Sequence, residues 1–310
     1  LVSTGLKEKT RTMKKSVRIL TILAIFGAAI ILPNSCSKSS NSSSNNSDNQ
    51  TNDNNAANTT AKAAAADYAY DDAFNIAVQT GNNEGLDNLM QGKGKVGSST
   101  LGDNIAGAYY CAMVTVSGST FPVTVTVDFG SGCKSADSIS RSGSITYVFS
   151  GHLSVPGTTI SASFNNYVVN GYELNGTYSI TNSTTNISSP QLTTTLSNGN
   201  ITFPSDTTYY LNRTKTVAVV SGSISDISSL VFNITGNFSF GSSFGDSLTA
   251  TITSPLERKE TCNWVDSGIV SFTYSKAGVS VSGTLDYGSG TCDNLAEIEI
   301  GSFTEEITIL

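Results

Sequence analysis

The chain has 310 residues, of which 38% are hydrophobic and only 13% charged, with a formal net charge of −7. That length and apolar content suit one large domain or two smaller ones. The acidic balance argues against a nucleic-acid partner, whose phosphates need a basic face.

Met13-Lys14-Lys15-Ser16-Val17-Arg18 is a short basic head, and Ile19 to Leu32 follows without a charge. That run is shorter than the ~20 residues of a membrane span and fits a signal-peptide core. Leu32-Pro33-Asn34-Ser35-Cys36 comes next. This order resembles a bacterial lipoprotein signal, which is cut just before the cysteine and leaves it to carry lipid. Pro33 departs from the pattern, since such signals usually have Leu there, and Leu32 stands one residue further out. Ordinary secretion and an uncut anchor are the alternatives. Residues 1–12 read as sequence ahead of a start at Met13. Cleavage before Cys36 removes six basic residues and one acidic one, leaving 11 Lys and Arg against 23 Asp and Glu, a net of −12. The expected plan is a leader and signal peptide over 1–35, a lipid anchor and disordered tether over 36–60, a helix and loop over 61–104, and an antiparallel β domain over 105–310.

Ser37 to Thr60 is almost entirely Ser, Asn, Thr, Asp and Gln, with nothing to bury. As a flexible tether it would reach roughly 25–30 Å. Ala61 to Val78 is the good helix candidate. Ala66, Tyr70, Ala73 and Ala77 recur at helical spacing with Phe74 and Val78 beside them, while Asp67, Asp71 and Asp72 fall on the complementary side. An amphipathic helix of this kind is expected to pack on one end of the β body. Gly81 is the stop signal, and Asn82 to Asn104 reads as loop.

From Tyr109 the pattern changes to period two. Val123, Val125 and Val127 share a face, as do Ile145, Tyr147 and Phe149, and Ile160, Ala162 and Phe164. Similar pairs and triplets continue to Ile298 and Ile300, broken by Gly, Asn, Ser or Pro. Asn170-Gly171 predicts a tight hairpin, because both positions tolerate positive φ. Val155-Pro156-Gly157 and Asn198-Gly199 read as further turns. With no second helix to carry crossovers, neighbouring strands are expected to pair antiparallel. The fold class is mainly β: a long antiparallel meander forming a strongly curved or two-layer sheet, with one N-terminal helix. The Ser, Thr and Asn of the outward positions argue against the apolar band of a membrane barrel.

One device occurs twice. Asp128-Phe129-Gly130-Ser131-Gly132-Cys133 ends one strand, and Asp286-Tyr287-Gly288-Ser289-Gly290-Thr291-Cys292 ends another. Gly130, Gly132, Gly288 and Gly290 allow a sharp turn, and Asp128 and Asp286 can accept hydrogen bonds from the turn amides. Each turn has a cysteine upstream, Cys111 or Cys262. Four cysteines besides Cys36 suggest two disulfides in an exported chain, in three arithmetically allowed pairings. The repeat favours Cys111–Cys133 and Cys262–Cys292, at separations that suit strands adjacent or one removed in a meander. A cysteine-only metal site has neither a C-x-x-C nor a histidine pair to support it.

These cysteine turns resemble those of a widespread group of uncharacterised Bacteroidetes lipoproteins. So do Gly151 to Gly157, Phe164 to Gly171, Gly176-Thr177 and Thr253 to Lys259, and Asp286 to Asn294 is the most specific element. The resemblance implies an exported, lipid-anchored β protein and assigns no activity. Asp137-Ser138-Ile139, Asp206-Thr207-Thr208 and Asp246-Ser247-Leu248 match the Asp-Ser/Thr pattern used for O-glycosylation in that phylum.

The chemistry-bearing residues are sparse. His152 is the only histidine and has no triad motif around it. Asp128 and Asp286 as a glycosidase-like pair are better explained as turn anchors. Asp286, Asp293 and Asn294 could offer oxygens to Ca²⁺, but not at EF-hand spacing. Glu297, Glu299, Glu305 and Glu306 fit the solvent face of the last strands. No catalytic, metal or cofactor site is expected. The reading is a non-enzymatic, lipid-anchored module of the outer membrane or cell surface, with a glycan or envelope-protein partner. The alternative is a carrier that cups a hydrophobic ligand in a curved sheet.

Overall fold

The computed structural model describes residues 45–84, 86, 111–135, 138–205, 207–223, 226–262 and 264–308. The signal peptide, Cys36, most of the expected loop after the helix, Asp137 and Asp206 lie outside the described residues.

Among the described residues one helix, α1 (Asn45–Asn83), is followed by fourteen strands: β1 (Met113–Ser117), β2 (Val123–Asp128), β3 (Cys133–Lys134), β4 (Ser140–Phe149), β5 (Thr159–Val169), β6 (Tyr172–Asn182), β7 (Gln191–Thr202), β8 (Thr208–Ser223), β9 (Asp226–Ser242), β10 (Ser247–Lys259), β11 (Ser267–Lys276), β12 (Val279–Ser289), β13 (Leu295–Ile300) and β14 (Phe303–Thr308). They form a single antiparallel sheet in chain order from β1 to β14, with the short β3 set aside against β4. The expected meander is therefore present, as one curved sheet that does not close.

The sheet curls about α1. Helix residues from Ala56 to Gly81 are mostly buried, and the core joins them to the inward faces of strands from β1 to β14. Contacts run from α1 to β5, β6, β8, β10, β11, β12 and β14. Ala56, Ala63, Ala66, Ala69, Ala73 and Ala77 are all fully buried. Their small side chains let the strands approach the helix axis from several sides. This corrects the expectation of a helix on one end of the body: α1 runs through the concavity, and its aspartates face strands instead of water. The helix also starts at Asn45, inside the stretch expected as disordered tether. Ala56, Ala57, Thr59 and Thr60 are buried before Ala61 is reached, so packing against the sheet supports the helix upstream of Ala61. Propagation outward then adds one hydrogen bond per residue fixed.

Bulges set the curvature. Asn170 and Gly171 take positive φ at the β5–β6 hairpin, as their chemistry predicts. Asn198-Gly199 is not a turn. It lies inside β7, where Asn198 has a φ of 52° and the ladder to β8 slips between Leu196 and Gly199. On the next strand the β6–β7 ladder slips between Asn175 and Thr177. A Cβ at Gly176 would lie 2.7 Å from the Gly199 Cα, so two strands cross this bend only as glycines. Such paired irregularities increase local twist and bend the sheet.

Candidate functional site

Asp67 and Asp71 lie one helical turn apart, a rise of about 6 Å. Arg213 and Lys215 lie two residues apart on β8, about 7 Å, and point the same way. The matched spacing lets two carboxylates meet two cations. Arg213 Nη1 is 2.5 Å from Asp67 Oδ1, and Arg213 Nη2 is 2.8 Å from Asp71 Oδ1. Lys215 Nζ lies 2.9 Å from Asp67 Oδ2 and 2.8 Å from Asp71 Oδ2. Burial alone would raise the Asp67 carboxyl, but Lys215 and Arg213 overcome it and hold it at about 2. Burial would likewise lower the Lys215 ammonium, and Asp67 and Asp71 instead raise it. The Tyr178 hydroxyl beside Arg213 is pushed up to about 12, mainly by burial.

Asp72 projects to the other side of α1. Arg141 Nε and Nη2 donate to its two oxygens at 2.9 and 2.5 Å, and the Tyr167 hydroxyl donates at 2.5 Å. Asp72 and Arg141 are 2% and 3% exposed, so this pair is removed from water. Burial and the Asp72 charge together drive the Tyr167 hydroxyl well above its ordinary range. Three carboxylates thus meet three cations between α1 and the sheet, with no net charge left over. The inward placement of Arg141, Arg213 and Lys215 was missed by sequence reasoning. The signal was there: Leu211, Arg213 and Lys215 share one phase of β8, and that phase faces inward.

The repeated turns behave alike. Asp128 Oδ1 accepts from the Gly130 amide and Asp286 Oδ1 from the Gly288 amide, both at 2.8 Å. Gly130, Gly132, Gly288 and Gly290 all have positive φ. Cys111–Cys133 and Cys262–Cys292 are disulfides, with Cα separations of 6.0 and 5.7 Å. Beside the second staple, Arg258 is buried over the Phe232 ring at 5.0 Å, and Lys259 meets the buried Asp266 at 2.7 Å.

The remaining sequence candidates are dispersed. Asp128 and Asp286 lie on β2 and β12, each engaged by its own turn. Asp293 Oδ1 accepts from the Leu295 amide at 3.1 Å. His152 Nδ1 is 3.2 Å from the Leu86 carbonyl oxygen, and its ring packs edge-on against Phe121. Glu297, Glu299, Glu305 and Glu306 are exposed. Among the described residues no three His, Cys, Asp or Glu side chains gather as a metal set.

Two surfaces remain. The convex face carries rows of hydroxyls and amides in register across strands, such as Thr195–Thr214–Asn237–Thr251. The other surface is a mouth at one end of the sheet, where the β7–β8, β9–β10 and β11–β12 hairpins surround the early turns of α1. A cavity of about 260 Å³ opens there. Comparison with family models, curated proteins and solved structures finds no match.

Proposed function

We propose that the protein is a lipid-anchored, non-enzymatic binding module of the cell envelope, attached through Cys36 and presenting its hairpin end and convex face to a glycan or envelope-protein partner. The observation that carries this reading is the occupied concavity. A carrier needs an empty apolar cup, and here the cup is filled by the chain's own helix and closed by a neutral set of six charged groups. What remains on offer is the outside of the sheet and its mouth. The lipoprotein-like Leu32 to Cys36 stretch and the resemblance to Bacteroidetes lipoproteins support the anchor, and two disulfides suit an oxidising compartment. The helix begins nine residues after Cys36, and Gln50, Thr51, Asn54 and Asn55 are exposed ahead of the buried part. The first turns of α1 therefore act as a stalk about 15 Å long, from Asn45 to Asn55. Fractionation of the producing cells tests the anchor. The wild-type chain is expected in the membrane fraction with a lipid-modified N-terminal Cys36. A Cys36→Ala chain retained on the membrane to the same extent would refute it.

A further inference from the structure

We propose that the mouth cavity is a binding site for an acidic sugar, a pyranose ring bearing a carboxylate or phosphate. This rests on the binding-module reading and names the ligand class of that surface.

The first observation is a cation without a carboxylate. Arg141, Arg213, Lys215, Arg258 and Lys259 all meet acidic side chains. In the mouth, Lys276 is matched by Asp246 at 3.4 Å. Lys62 has no acidic side chain within ion-pair distance among the described residues. Its ammonium donates to the Tyr209 hydroxyl at 3.0 Å and lies 5.4 Å from the centre of that ring. In a chain this acidic, a cavity with two ammonium groups and one carboxylate is electrostatically distinct from its surroundings.

The second observation is a rigid aromatic floor with an exposed aromatic rim. Tyr209 is 6% exposed, stacks on Phe240 at 4.8 Å and meets Phe203 edge-on at 5.0 Å. That packing fixes the platform on which Lys62 rests, so its ammonium is held with few alternatives. Phe244 is 75% exposed on the β9–β10 hairpin. An exposed ring on the rim of the cavity supplies the apolar surface on which a pyranose stacks. Asn58 and Thr207 add neutral groups for sugar hydroxyls. At about 260 Å³ the cavity lies just below the range of drug-sized ligand sites, room for a sugar ring and not for an acyl chain.

The test is titration of the full chain, purified in detergent, with glucuronic acid, galacturonic acid, glucose 6-phosphate, glucose and inorganic phosphate. Saturable binding of the acidic sugars is expected. Glucose, which lacks the anion, and inorganic phosphate, which lacks the ring, should each bind at least tenfold more weakly. The uronic acids against glucose 6-phosphate decide which anion is preferred. Lys62→Met and Phe244→Ser should each weaken binding at least tenfold with unchanged thermal midpoints. Asp246→Asn should tighten it several-fold by freeing Lys276. Equal affinity for glucose, indifference to Lys62→Met, or attachment to anionic vesicles without saturable sugar binding would overturn the proposal. Anchoring is read separately by fractionation, so failure of the sugar site and failure of the anchored-module reading give different results.

Discussion

The Tyr70 hydroxyl, on the buried helix, lies 2.6 Å from the backbone carbonyl oxygen of Asn175 on β6. It also lies 3.0 Å from the carbonyl oxygen of Asn200 on β7. Asn175 and Asn200 are the last regular pair of the β6–β7 ladder before it slips past Gly176 and Gly199. A slip disrupts the ladder locally, and the helix brings a donor to the carbonyls at its edge. Helix and bend are therefore one structure: the bend admits the helix, and the helix satisfies the bend.

Removing that donor tests the coupling. Tyr70→Phe keeps the ring against Phe164 and Tyr178 but removes the donor shared by two part-buried carbonyls. The expected loss is about 1–3 kcal/mol in urea unfolding.

The Asp72–Arg141 pair should behave as a buried ion pair. Asp72→Leu strands Arg141 away from water and is expected to cost about 3–5 kcal/mol. Adding Arg141→Met should recover part of that loss, because an apolar pair needs no compensation. Equal stability of the single and double variants in urea titrations would contradict the pairing.

Asp67 gives the fold a defined acid sensitivity. Its carboxyl is held at about 2, below its ordinary 3.8. A depressed acid stabilises the folded state above its unfolded value, and that contribution is lost as pH falls through the folded value. Asp67→Asn should thus be about 2 kcal/mol less stable than wild type at pH 5–6. The gap should narrow as pH falls through 3.8 and vanish only below about pH 2. Unfolding curves between pH 2 and 6 provide the check.

Each disulfide closes a turn carrying the same Asp-aromatic-Gly-Ser-Gly sequence. The sequence separations are 22 and 30 residues. Replacing either pair with serines is expected to lower stability by about 3–4 kcal/mol on the chain-entropy model. A non-reduced peptide map should link Cys111 to Cys133 and Cys262 to Cys292.

Local chemistry in the sequence carried much of this. Asn170-Gly171 reads as a hairpin and is one: the chain reverses there, and Val169 pairs with Tyr172 across the turn. The same dipeptide at Asn198-Gly199 is absorbed into β7, since Gly199 pairs with Leu211 and the strand continues on the far side. Dipeptide chemistry reports the positive φ at both sites but not whether the chain reverses. The cysteine pairs were legible because a repeat tied each to its own turn. The helix was legible from Ala61 to Val78, yet its surroundings were not. Asp67, Asp71 and Asp72 looked like a wet face, because an aspartate on a helix shows its partner only when the facing strand is known. The mouth was hidden for a related reason. Lys62, Thr207, Phe244 and Lys276 come from one helix and three hairpins, and only the curl of the sheet brings them together.

Amide hydrogen exchange of α1 tests the central claim most directly, namely that the helix fills the curved sheet. If it does, amides of residues 60–80 open only when the whole sheet unfolds. Their exchange free energies should then equal those of β4 to β8 and the global unfolding value. Exchange of residues 60–80 at the rate of an exposed helix, with the strands still protected, would show that the helix leaves the concavity and would contradict the account.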